Sequence, residues 1–135
     1  MIPVLRVKPG VTFERIAPGG FRILSALDDA CQILHHDLTI TSGTNDHETG
    51  RHPLGEAYDI STAGLMTWEI RKLVDVLRRR LGPAFGVFYE TPVTEHDPIL
   101  IPVALKNSQA TAPHIHLQVA KGTQYPPVDV AVTHV

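Results

Sequence analysis

Hydrophobic positions along the chain change period several times, and each change marks an element. Ile23, Leu27, Ala30 and Leu34 recur at helical spacing, and Leu24 and Cys31 widen the stripe. A helix is therefore expected over about 21–35, after the break at Pro18-Gly19-Gly20. Asp37-Leu38-Thr39-Ile40-Thr41 alternates and is β-branched, as a strand requires. The same alternation over Ala57–Ser61 puts Ala57, Asp59 and Ser61 on one face and Tyr58 and Ile60 on the other. Ile70, Leu73, Val74, Leu77 and Leu81 return to the helical period. They predict a helix from about Thr67, as N-cap, to Leu81, with Ile70 at N3, hence no capping box, and Gly82-Pro83 as the stop.

Phe85–Glu90, Ile99–Leu105 and His114–Val119 read as further strands, and Pro102 marks the second of these as an edge or a bulge. Residues 1–18 read as a strand and a loop, with Val11–Phe13 as a short extended piece. Ser42–Gly50, Thr91–Pro98 and Lys106–Pro113 are polar loops, and Tyr125-Pro126-Pro127 opens an extended tail. Strands gathered around two helices without a regular βαβ alternation predict an α+β domain. The expectation is a mostly antiparallel sheet with two main helices packed on one face, in a single domain over residues 1–135.

Composition narrows the function classes. A chain of 135 residues, 43% hydrophobic and 19% charged, has the makings of an ordinary globular core. Its formal net charge of −2 offers no basic field to nucleic acid. The basic cluster Arg71, Lys72, Arg78, Arg79 and Arg80 fits the C-terminal half of a helix, where it complements the dipole. The single cysteine, Cys31, excludes an internal disulfide and any zinc site built on several thiolates, and its place on an apolar stripe predicts an inert buried thiol. No apolar run is long enough to span a bilayer, and the N-terminal residues lack the pattern of a signal peptide. The expectation is a monomer made in the cytoplasm.

The chemistry concentrates in two stretches. His52 and Asp59 stand seven positions apart with Pro53 and Gly55 between them, which predicts a turn leading into a strand. A carboxylate inside a partly apolar strand needs a cation or several donors to offset its desolvation. Far downstream, His114-Ile115-His116 puts two histidines on one strand face, with Ile115, Leu117 and Val119 on the other. Nitrogen and oxygen donors of this kind suit an open zinc site, in which three protein ligands leave a fourth position for water. His35, His36, His47, His96 and His134 read as surface or hydrogen-bonded residues, and Asp46 and Glu48 as loop residues.

His52-Pro53-Leu54-Gly55-Glu56-Ala57-Tyr58-Asp59-Ile60-Ser61-Thr62, taken with His114-Ile115-His116, resembles the zinc site of the D-Ala-D-Ala metallopeptidase (M15-like) superfamily. That group contains peptidoglycan carboxypeptidases and endopeptidases, phage endolysins among them, and the hedgehog signalling domain shares its fold. Leu38–Gly43, Gly86–Glu90 and Ala112–His116 look similar to hedgehog-type counterparts, so the resemblance covers roughly residues 21–120. It implies that His52, Asp59 and His116 bind Zn2+, and that His114 is a site histidine off the metal.

Two positions depart from the peptidase pattern. The acid often found three residues before the third ligand is Pro113 here, and Glu90, at the end of a strand, is the substitute general base by hedgehog-type similarity. An ordinary solvated glutamate is the competing reading of Glu90. The loop after Ser42-Gly43 lacks the carboxylate-gripping arginine of many peptidases, so Arg51 is the candidate for that role. Asn45 is a second substrate-binding candidate, against the favoured reading of a solvated loop.

The resemblance thus implies a zinc peptidase that hydrolyses amide bonds in peptidoglycan stem or cross-bridge peptides. Glu90 would move the proton and His114 would stabilise the oxyanion. Such a protein would reach the cell wall after release from a bacterium or phage. The alternative is a catalytically weak or inert zinc-stabilised binding module of hedgehog type.

Overall fold

The computed structural model describes residues 2–44, 51–52, 54–92, 105–107 and 112–120. The elements run β1 (Leu5–Val7), α1 (Pro18–Leu34), β2 (Leu38–Ser42), β3 (Ala57–Ser61), α2 (Thr67–Leu81), β4 (Phe85–Pro92), β5 (Leu105–Asn107) and β6 (His114–Val119). Among the described residues they form one six-stranded sheet in the order β1-β2-β3-β6-β4-β5. The α+β class and the two helices are as expected, but the sheet is mixed. Its centre, β2-β3-β6-β4, is antiparallel, whereas β1 joins β2 and β5 joins β4 in parallel.

Ala57–Ser61 and His114–Val119 form strands over the ranges that alternation predicts. Leu105–Asn107 is strand where a loop is expected from Lys106, because it pairs with Glu90–Pro92 and so extends β4 past its predicted end. The rest of the predicted Ile99–Leu105 strand, with Pro102, lies outside the described residues, as do the tail and most of the two polar loops that begin at Ser42 and Thr91.

Helix α1 starts earlier than expected, and α2, whose bounds are as expected, is capped one residue earlier, both for physical reasons. Helix α1 begins at Pro18, three residues before the predicted Phe21. Proline at the first helical position loses no intrahelical bond, because that N–H would have no partner anyway. The two glycines then serve close packing. A Cβ on Gly20 would meet the Gly55 carbonyl oxygen at 2.1 Å, and one on Gly19 would meet the Val119 side chain at 2.3 Å. At α2 the N-cap is Met66, and Thr67 is the first helical residue. That shift puts Glu69 rather than Ile70 at N3, where its carboxylate accepts the Met66 N–H at 2.9 Å.

Both helices lie on one face of the sheet. Ile23, Leu27, Ala30 and Cys31 of α1 and Leu73 and Leu77 of α2 are fully buried there, against Tyr58, Ile60, Ile115 and Leu117. Cys31 is the buried thiol that its place on the stripe predicts, and burial pushes its pKa up. The opposite face of β3, β6 and β4 carries Asp59, Ser61, His114, His116, Gln118, Phe88 and Glu90. The core thus fixes one side of each central strand and leaves the other side for chemistry.

Candidate metal centre

Cross-strand register assembles the site. Asp59 on β3 is paired with His116 on β6, which is paired with Phe88 on β4. One step along the same face, Ser61, His114 and Glu90 form the next row, and one step the other way lie Ala57, Gln118 and Gly86. Residues two apart on a strand share a face, so the three rows form one contiguous surface.

His52 reaches this surface from the turn before β3. Leu54 N–H and Glu56 N–H donate to the Arg51 carbonyl, and Gly55 N–H donates to the His52 carbonyl. Gly55 has φ +72°, and a Cβ there would meet the Arg15 carbonyl oxygen at 2.4 Å, so the turn requires glycine. The Gly55 carbonyl accepts Ala17 N–H at 3.1 Å and faces the Tyr58 hydroxyl at 3.5 Å, which ties the turn to the start of α1. On its other side, His52 Nδ1 donates to the Gly43 carbonyl oxygen at 3.2 Å. The neighbouring Thr44 is anchored by its N–H to the Thr12 carbonyl at 2.9 Å, so the acceptor for His52 is itself held.

These constraints bring His52, Asp59 and His116 together. One potential ligand atom of each lies within 4.8 Å of the others. His52 Nε2 stands 3.7 Å from Asp59 Oδ2, and His116 Nδ1 stands 2.7 Å from Asp59 Oδ1. Ligand atoms around one tetrahedral zinc-sized ion are about 3.3 Å apart, given metal–ligand distances near 2.0–2.1 Å. Asp59 faces each imidazole with a different oxygen, at separations on either side of that value. The centre is also sheltered, with side-chain exposures of 6% for His52, 13% for Asp59 and 15% for His116.

Hydrogen bonding shows why a cation fits here. The Gly43 carbonyl can only accept, so His52 carries its proton on Nδ1 and turns Nε2 toward Asp59. His116 faces an acceptor at each ring nitrogen, Asp59 Oδ1 at 2.7 Å and Gln118 Oε1 at 2.9 Å. A neutral imidazole has one N–H and satisfies only one of them. A cation held at Nδ1 would relieve this, leaving the single N–H on Nε2 for Gln118. That arrangement, with a hydrogen bond behind each ligating imidazole, is the usual support for a protein-bound metal. Burial lowers the His116 pKa, but its bond to Asp59 outweighs this and holds it above the ordinary value. Burial likewise raises that of Asp59, yet the His116 bond and the nearby imidazoles bring it below the usual carboxylate range.

His114 and Glu90 form a second pair on the same face. His114 Nε2 donates to Glu90 Oε1 at 2.9 Å, and Nδ1 faces the Ala112 carbonyl at 3.1 Å. His114 Nε2 also lies 4.0 Å from Asp59 Oδ1, so the pair borders the metal centre. Burial lowers the His114 pKa, and the Glu90 and Ala112 bonds more than offset it. Glu90, two residues inside β4 rather than at its end, and His114 are thus placed side by side by the β4–β6 register.

The two substrate-binding candidates stand differently. The Arg51 guanidinium donates to Glu56 Oε1 at 3.1 Å and to the Ala120 carbonyl at 3.4 Å, which staples the turn to the end of β6. Asn45 lies outside the described residues. Sequence reasoning missed Gln118 and Phe88, although the period of two that pairs His114 with His116 also places Gln118 on their face.

A scan against protein-family models finds no family that matches, and searches of curated proteins and of solved structures find no similar protein.

Proposed function

We propose that the protein is a zinc metallopeptidase of the D-Ala-D-Ala peptidase type, with a related fold, which hydrolyses amide bonds in the stem or cross-bridge peptides of peptidoglycan. The observation that carries this reading is the convergence of His52 Nε2, Asp59 and His116 Nδ1, each imidazole backed by an acceptor on its far nitrogen. Two nitrogens and one oxygen suit zinc in a hydrolytic role, in which His52, Asp59 and His116 would hold the ion and water would complete its coordination. When bound, zinc supplies a Lewis acid that polarises water and the scissile carbonyl.

The chain's own groups do the rest. Glu90 accepts a proton from the attacking water and delivers it to the amine that leaves. His114, held between Ala112 and Glu90, orients that carboxylate. When protonated, His114 beside the centre would favour the negative charge that develops on the carbonyl oxygen. The substrate class rests on the resemblance of the His52–Thr62 and His114–His116 motifs. An enzyme of this type meets its substrate at the cell wall after release from a bacterium or phage. Among the described residues no helix is long and apolar enough to cross a membrane.

The engagement of Glu90 by His114 favours a second reading, a zinc-stabilised binding module of hedgehog type with no turnover. Digestion of purified peptidoglycan separates the two. Release of stem peptides by the zinc-loaded protein, lost in Glu90→Gln with zinc retained, is the enzyme's signature. Stoichiometric zinc with no cleavage identifies the binding module.

A further inference from the structure

We infer that Gln118 is the positioning residue that makes His116 an Nδ1 metal ligand, and that Phe88 and Gly86 hold it in place for that task. The inference rests on the metal-binding reading above and deepens it.

The argument starts from a conflict at His116. Asp59 Oδ1, 2.7 Å from Nδ1, is a carboxylate acceptor and by itself favours the tautomer that keeps a proton on Nδ1. In that tautomer the nitrogen that faces Asp59 has no lone pair to give. Gln118 Oε1, 2.9 Å from Nε2, is the counterweight. It rewards a proton on Nε2, so the one on Nδ1 can leave when a cation arrives. Second-shell acceptors of this kind fix the tautomer and raise the basicity of the ligating nitrogen.

The support behind Gln118 is visible in the next row of the sheet. Gln118 is paired with Gly86 across β6 and β4. A Cβ on Gly86 would meet the Phe88 ring at 2.5 Å and Gln118 Cγ at 3.4 Å. The Phe88 ring therefore lies across the space that Gly86 leaves, beside the stem of Gln118. The same ring stacks near His116, with centroids 6.4 Å apart and planes 15° apart. Phe88 thus stands beside His116 and on the side of Gly86 where the Gln118 stem passes, and a wall there narrows the arrangements open to the glutamine.

Zinc affinity, measured by chelator competition on the metal-free chain and on Gln118→Leu and Gln118→Glu, tests the inference. Loss of the acceptor in Gln118→Leu is expected to weaken zinc binding about 10- to 100-fold. Gln118→Glu, which keeps an acceptor and adds charge, is expected to bind at least as tightly as the wild type. Nitrogen-detected NMR of the zinc-loaded wild type should show His116 protonated on Nε2 and metal-bound through Nδ1, with the Nε2 proton exchanging faster in Gln118→Leu. Unchanged affinity in Gln118→Leu would overturn the inference while leaving the metal centre standing. So would equal weakening in both variants, since a glutamine that donates its NH2 to Nε2 has no mimic in glutamate. Failure of the wild type to bind zinc would remove the metal reading itself.

Discussion

The two faces of the central sheet are made by the same strands and do opposite work. On β3 and β6, Tyr58, Ile60, Ile115, Leu117 and Val119 point to the helices and are buried at 1% exposure or less. Asp59, His114, His116 and Gln118 alternate with them, remain partly exposed and meet one another through hydrogen bonds of 2.7 and 2.9 Å and an ion-pair contact of 4.0 Å. The lesson is that stability and chemistry are interleaved one residue apart. The apolar face holds the register, and the register holds the ligands. Substitutions one position apart should therefore separate folding from function.

The largest expected effect lies at Asp59, which touches both imidazoles. Asp59→Ala should cost zinc affinity more than the roughly 10- to 100-fold expected for a supporting residue. The chain should still fold, because the change is on the open face. Circular dichroism beside a zinc titration checks both points, and an unfolded variant would show that the two faces are not separable. Glu90→Gln should cut peptide hydrolysis about 10²–10⁴-fold, the usual contribution of a positioned proton-transfer group, with zinc affinity little changed. Loss of zinc in that variant would move Glu90 from proton transfer to metal support.

Leu117, next to His116 and fully buried, supplies the converse. Leu117→Ala should destabilise the fold by about 2–5 kcal/mol, as core truncations do, and the fraction that remains folded should bind zinc normally. Denaturant unfolding gives the first number and titration of the folded protein the second.

The smallest effect belongs to the sheet edge. Asp37 accepts Val4 N–H at 2.8 Å and Arg6 Nε at 2.9 Å, and those bonds hold its carboxyl below the usual carboxylate range. Its contribution is present above the unfolded carboxylate pKa and fades as pH falls through the lowered folded value. Asp37→Asn at neutral pH, which mimics the protonated carboxyl, should speed amide exchange at Val4 and Leu38 while leaving the amides of His116 and Asp59 untouched. Equal loosening at β3 and β6 would show the edge and the centre to be one cooperative unit.

What the sequence made legible follows the same division. Strict alternation at Ala57–Ser61 and His114–Val119 located both central strands and sorted their faces, because a half-buried strand must alternate. The apolar stripe around Leu73 and Leu77 gave α2 its bounds. Local pattern was blind where tertiary contact decides. Gly19 and Gly20 look like a break, yet they are in a helix because Gly55 and Val119 press against them. The parallel pairing of β5 with β4 depends on a contact between segments that no local period encodes. His52, Asp59 and His116 were legible as a metal set through motif and strand face. The engagement of Arg51 by Glu56 and Ala120, and of Gln118 by His116, depends on register and on a turn geometry that appear only once the chain is folded.

The most direct test of the metal centre is calorimetric titration of the metal-free chain with zinc, followed by thermal unfolding of the loaded protein. One ion per chain is predicted, together with stabilisation of about 2.7 kcal/mol at free zinc near 100 times the dissociation constant. Both responses should be lost in Asp59→Ala. A wild-type chain that takes up no zinc, or one whose uptake is unchanged by Asp59→Ala, would contradict the account.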